Sequence, residues 1–92
     1  MSRGEKVIED ILGSKAKVKI LALLCNNPYH EYKMGDIVKL TGLTYRTVER
    51  VIHMFKKHDL IVIRRYGPAK LISINTQSPL AIKIIRLFRG DI

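Results

Sequence analysis

The sequence predicts a mostly helical α+β fold, a single domain of helices followed by one two-stranded hairpin and a closing helix. Three observations point to it. Apolar residues recur at helical spacing through most of the chain. Two short runs rich in β-branched residues, IVIRRY at 61–66 and KLISIN at 70–75, flank Gly67-Pro68-Ala69. Ser, Thr, Gly and Pro stand where helices need caps and stops. A chain of 92 residues has room for one domain and not for two. A core of that size is thin, so a partner subunit would help to complete it.

Taken in chain order, residues 1–12 place Val7, Ile8, Ile11 and Leu12 on one stripe of an N-terminal helix, with charged residues opposite. Gly13 stops it and Ser14 caps the next helix, over 15–25. The second half of that helix, from Ile20 to Cys25, is apolar on every side, the pattern of a helix buried all round. Asn26-Asn27-Pro28 ends it, and 30–33 has the look of a short strand. Ile37, Val38 and Leu40 are the apolar residues of a helix over 33–41, and Gly42 supplies its stop. Thr44 caps a fourth helix over 45–58, in which Val48, Ile52 and Phe55 form the buried stripe with Val51 beside it. Asp59 is suited to the positive-φ conformation that ends a helix. A hairpin over 61–75 follows, then Ser78-Pro79 opens the last helix, over 78–89.

Charge is distributed unevenly. The formal net charge is +9. Residues 1–42 carry seven basic and five acidic side chains, and residues 43–92 carry ten and three, so the excess lies in the second half. With 47% apolar residues the chain is expected to fold, which excludes a basic disordered tail. No apolar run reaches the ~18–20 residues of a membrane-spanning helix. The N-terminus MSRGEKVIED lacks the apolar core of a signal peptide, so a cytoplasmic location is expected. One cysteine excludes an internal disulfide and a multi-cysteine zinc framework. What is left is a small basic domain with an acidic partner, most simply nucleic acid.

The informative stretch is 34–58. Two helices joined by the short turn Gly42-Leu43-Thr44, the second opening on polar and basic residues, follow the helix-turn-helix plan. Val38, Leu43, Val48 and Ile52 would anchor the second helix, leaving its N-terminal end free to enter a major groove. Arg46 and Arg50 share a face, and either can take a guanine edge or a phosphate. Tyr45 suits a phosphate or a thymine methyl, and Thr44 and Thr47 offer hydroxyls near the helix start. His53, Lys56 and Lys57 suit the backbone. Glu49 either accepts from a cytosine amino group or orients Arg46 or His53. In the hairpin, Arg64, Arg65 and Lys70 cluster around Gly67-Pro68. Alternation sets Arg64 and Arg65 on opposite faces, so one is expected to meet DNA and the other to be solvated. Tyr66 serves equally well as packing.

The pattern Leu40-Thr41-Gly42-Leu43-Thr44, then Thr47-Val48, Ile52, Phe55 and Leu60-Ile61, resembles winged helix-turn-helix regulators of the ArsR, MarR and PadR kind. LGSKAKVKILALL at 12–24 resembles the opening helix of archaeal members. The resemblance covers 12–75 well and 78–88 more loosely. It implies that Thr44 to Arg50 form the DNA-reading end and that Arg64 to Lys70 form the wing.

No cofactor is expected. Cys25 and His30 make a poor metal site, and His53, His58 and Asp59 are no better. Without a phosphate loop, nucleophile elbow or carboxylate pair, catalysis is not expected. The apolar stripes at the two chain ends (Val7, Ile8, Ile11 and Leu12; Leu80, Ile84, Ile85, Leu87 and Phe88) exceed what one thin core covers. They are read as the dimerisation surface of a homodimer with two reading helices about one DNA turn apart. Sequence-specific binding of double-stranded DNA by a transcription regulator is the leading expectation. A DNA-organising or segregation protein that spreads from a starting site is the alternative. A protein-interaction winged helix fits the basic hairpin less well.

Overall fold

Ser14 extends before the first helix and accepts a hydrogen bond from the Lys17 N–H at 3.2 Å, which fixes where that helix begins. The computed structural model describes residues 13–90. In order they form α1 (Lys15–Asn26), α2 (Met34–Thr41), α3 (Tyr45–Lys57), β1 (Ile61–Tyr66), β2 (Ala69–Ile74) and α4 (Pro79–Arg89). The helix expected over 1–12, with Val7, Ile8, Ile11 and Leu12, lies outside the described residues.

One core joins these elements. Ile20, Leu21 and Leu24 of α1 meet Ile37 of α2, Val48, Val51, Ile52 and Phe55 of α3, and Ala81, Ile84 and Ile85 of α4. Leu60, Ile61, Ile72 and Ile74 add the base of the hairpin. The stripe expected on α3 is the buried one. Two expectations need correction. The second half of α1 is not buried all round, because Ala22 and Leu23 are half-buried. The packed neighbours of α1 cover only part of its circumference. Leu40 is 63% exposed, because the inward stripe of α2 runs through Met34, Ile37, Val38 and Thr41 and leaves Leu40 off its edge. Thr41 enters the core in its place. Its hydroxyl donates to the Ile37 carbonyl at 2.6 Å and accepts from the Leu43 N–H at 3.3 Å, so the buried oxygen is satisfied.

The hairpin is tighter than the sequence suggested. Tyr66 pairs with Ala69, so the loop is Gly67-Pro68 alone. Gly67 has φ of 60°, and with proline's fixed negative φ following, the signs are those of a type II′ turn. The strand expected at 30–33 reduces to one bridge. Tyr32 N–H donates to the Ile72 carbonyl at 2.8 Å and Ile72 N–H returns the bond at 2.7 Å. This ties the α1–α2 connection to the free edge of β2.

Candidate nucleic-acid interface

The turn before α3 is built from local chemistry. Gly42 adopts φ of 73° and its N–H donates to the Val38 carbonyl at 2.9 Å, which closes α2. Leu43 packs half-buried against the core. Thr44 then caps α3, accepting from the Thr47 N–H at 3.2 Å and donating to the Thr47 hydroxyl at 3.0 Å. Both threonine hydroxyls are therefore engaged in holding the helix start. Lys19 of α1 donates to the Thr41 carbonyl at 3.2 Å, so the turn is also fastened from behind. At the far end, Asp59 takes φ of 60°, and Leu60 N–H reaches back to the Phe55 carbonyl at 3.0 Å.

With one face of α3 locked into the core, the other is presented outward. Tyr45, Arg46, Glu49, Arg50, His53, Lys56 and Lys57 are all exposed, and Thr47 is half-buried. Lys56 and Lys57 occupy the last turn, where cations complement the helix dipole. A groove of about 480 Å³ separates α3 from the hairpin. Its floor is apolar, formed by Met34, Ile52, Ile63 and Ile72. Its walls are Tyr45, Glu49, Arg50, His53 and Lys56 on one side and Lys70 on the other. The fold thus brings Lys70 to the same face as Arg50, although 20 positions separate them in the chain.

The two hairpin arginines have different surroundings. Arg65 is exposed and stands directly opposite Lys70. Arg64 is on the other face, where its Nε and Nη2 donate to the two carboxylate oxygens of Glu31 at 2.8 Å each. Its guanidinium also lies 5.7 Å from the centre of the Tyr66 ring. The hydrogen bond from Arg64 holds the Glu31 carboxyl below the usual glutamate range, and the same bond raises the guanidinium in return. Glu31 carries no signal in the sequence. It is one acidic residue in an irregular segment, 33 positions before its partner.

The residues assigned to dimerisation divide in two. Ile84 and Ile85 face the chain's own core and Leu80 is half-buried, so these three serve α4 internally. Leu87 and Phe88 are exposed, and so is Ile82. Phe88 borders a crevice with Ala22, Leu23 and Cys25 of α1, so apolar surface from both helices meets there. Cys25 itself is buried, and burial pushes its thiol up to about 11. Among the described residues no three His, Cys, Asp or Glu side chains gather as a metal site would require. Among them, too, no helix is long and apolar enough to cross a membrane.

Comparison of the sequence with protein-family models and with curated proteins gave no match. Solved structures do match. HlyU from Vibrio cholerae superposes with a TM-score of 0.77 at 15% identity, covering 98% of this chain and 96% of that one. The repressor BigR from Xylella fastidiosa gives 0.75 at 12% identity, over 98% and 92%. Mb0332 from Mycobacterium bovis, described as a homodimeric winged helix-turn-helix DNA-binding domain of a possible ArsR-family regulator, gives 0.70 at 22%, over 94% and 72%. The fold of this chain is the winged helix-turn-helix. In its terms α2 and α3 are the helix-turn-helix and the hairpin is the wing.

Proposed function

We propose that this chain is a transcription regulator that binds double-stranded DNA as a homodimer, with α3 in the major groove and the wing on flanking backbone or minor groove. The carrying observation is the cationic face shared by α3 and the hairpin. Arg46, Arg50, Arg65 and Lys70 are exposed, and among the described residues no carboxylate pairs with any of them. An α-helix fits the width of a B-form major groove, and the deep, narrow groove of A-form RNA does not admit it. Arg50 and Arg46 supply forked donors for a guanine edge or a phosphate. Thr44 and Thr47 serve mainly to pin the helix start. The solved relatives support the reading, since BigR is a transcriptional repressor and the Mb0332 domain is homodimeric and DNA-binding. For the dimer, Ile82, Leu87 and Phe88 of α4 supply the apolar surface, next to Val18, Ala22 and Leu23 of α1.

The test is DNA affinity as a function of salt, followed by selection of bound sequences and footprinting. A dimer neutralising about four to eight phosphates loses affinity with a log–log slope near −0.9 per phosphate. A flat response refutes DNA binding. One short protected palindrome supports a regulator, whereas protection that lengthens with protein concentration supports a spreading, DNA-organising protein instead. Sedimentation at micromolar concentration tests the dimer, and a single species of one-chain mass refutes it.

A further inference from the structure

The hairpin carries three cations, and among the described residues only Arg64 meets a carboxylate. Strand alternation places Ile61, Ile63 and Arg65 on one face and Val62, Arg64 and Tyr66 on the other. On the first face Arg65 stands opposite Lys70. Two like charges directly across a strand pair repel, and among the described residues no carboxylate relieves them. Lys70 also lines the groove shared with Arg50 and Lys56, so this face looks toward the reading helix. On the second face Glu31 meets Arg64 with two parallel hydrogen bonds of 2.8 Å. That fork-to-fork geometry is the one a guanidinium uses for two phosphate oxygens. The guanidinium also lies over the Tyr66 ring, 5.7 Å from its centre. The backbone next to Glu31 is anchored, because Tyr32 is bridged to Ile72 through two hydrogen bonds.

We propose that Glu31 is a specificity-determining residue, a built-in substitute for phosphate that occupies Arg64 and leaves only the α3-facing side of the wing cationic toward DNA. The inference rests on the DNA-binding reading above. With Arg64 uncompensated, the wing would attract backbone phosphate on both faces, and only one of those placements keeps α3 in its groove. Glu31 removes the second placement. A carboxylate in contact with the guanidinium cancels most of its field at the distance of a DNA strand. A glutamate is ionised at neutral pH in any case, and the Arg64 hydrogen bond lowers its range further.

The experiment uses the full chain and two duplexes, one of random sequence and one taken from selection. Glu31→Gln keeps the shape and removes the charge. It is expected to raise affinity for the random duplex about fivefold per protomer at 0.15 M salt, the gain of one phosphate at a slope of about 0.9. The salt slope steepens by that amount, and the preference for the selected duplex falls. Adding Arg64→Gln to Glu31→Gln returns both quantities to those of the unaltered protein, which a merely structural role for Glu31 does not predict. The double variant leaves the salt slope unchanged, whereas Arg65→Gln reduces it by about 0.9. Unchanged random-duplex affinity in Glu31→Gln overturns the inference. So does a loss in the double variant equal to that of Arg65→Gln, a result that also decides the matter if Glu31→Gln alone fails to fold. If the unaltered protein shows no salt-dependent binding, the DNA reading fails and this inference falls with it. Binding by the unaltered protein with no effect of Glu31→Gln refutes this inference alone.

Discussion

α3 and α4 are both short amphipathic helices with basic residues, yet they turn different surfaces outward. α3 buries Val48, Val51, Ile52 and Phe55 and exposes Arg46, Glu49, Arg50, His53, Lys56 and Lys57. α4 buries Ala81, Ile84 and Ile85 but leaves Ile82, Leu87 and Phe88 on the surface among its basic residues. An outward face of charge is stable in water and attracts an anion. An outward face with a phenylalanine and two large aliphatics gains by meeting another apolar surface. Two helices of one fold thus present two kinds of outer surface, one charged and one partly apolar.

The contrast is broken most forcefully at the two phenylalanines. Phe55 is fully buried, and Phe55→Ala should cost about 3–5 kcal/mol in denaturant unfolding. Phe88→Ala, at 38% exposure, should cost the single chain far less, and an equal loss would mean that α4 has no outward apolar face. Next in size is self-association. Leu87→Glu with Phe88→Glu puts two carboxylates into the proposed interface and should shift the monomer–dimer equilibrium at least about a hundredfold, roughly 2.7 kcal/mol, read by sedimentation. Helical content should stay unchanged. On the outer face of α3, Arg50→Ala should weaken DNA binding by about 1–3 kcal/mol while leaving thermal stability nearly untouched. Loss of preference at one base position marks a base contact, and equal loss on every sequence marks a phosphate contact.

The smallest expected effect concerns Cys25, which lies beside Phe88 in the crevice between α1 and α4. Its thiol is raised by burial from an ordinary 9.0 to about 11. A group raised in the folded state contributes stability that is fully present below its unfolded value. That contribution is lost as pH rises through the folded value. Melting temperature should therefore be insensitive to Cys25 near neutrality and should decline between about pH 9 and pH 11. Cys25→Ala should remove that part of the decline. A decline of the same size in the variant would show that the thiol does not cause it.

Much of the fold was legible because its signals are local. The N-caps Ser14, Thr44 and Ser78, the left-handed Gly42 and Asp59, and the stripe Val48–Ile52–Phe55 each depend on residues within a few positions. The exposed side of α3 was legible for the same reason, since a stripe that is buried defines the one that is not. Leu40 and the upper half of α1 were misread because periodicity says which residues share a face and not how wide a face the neighbours will cover. Thr41 was passed over as a core residue because its hydroxyl becomes acceptable inside only once the Ile37 carbonyl and the Leu43 N–H are at hand.

The sequence alone determined the order of elements, the outward face of α3 and the concentration of positive charge in the second half of the chain, because helix periodicity, caps and charge counts need no long-range information. Tertiary structure alone decided which cations remain available. It set Glu31 against Arg64 across 33 positions and placed Lys70 on the groove beside Arg50. It also turned Ile84 and Ile85 inward while leaving Leu87 and Phe88 outside. Those outcomes depend on the angle at which each element packs on the next, and a charge or an apolar side chain has no assigned partner until that packing brings one within a few ångströms.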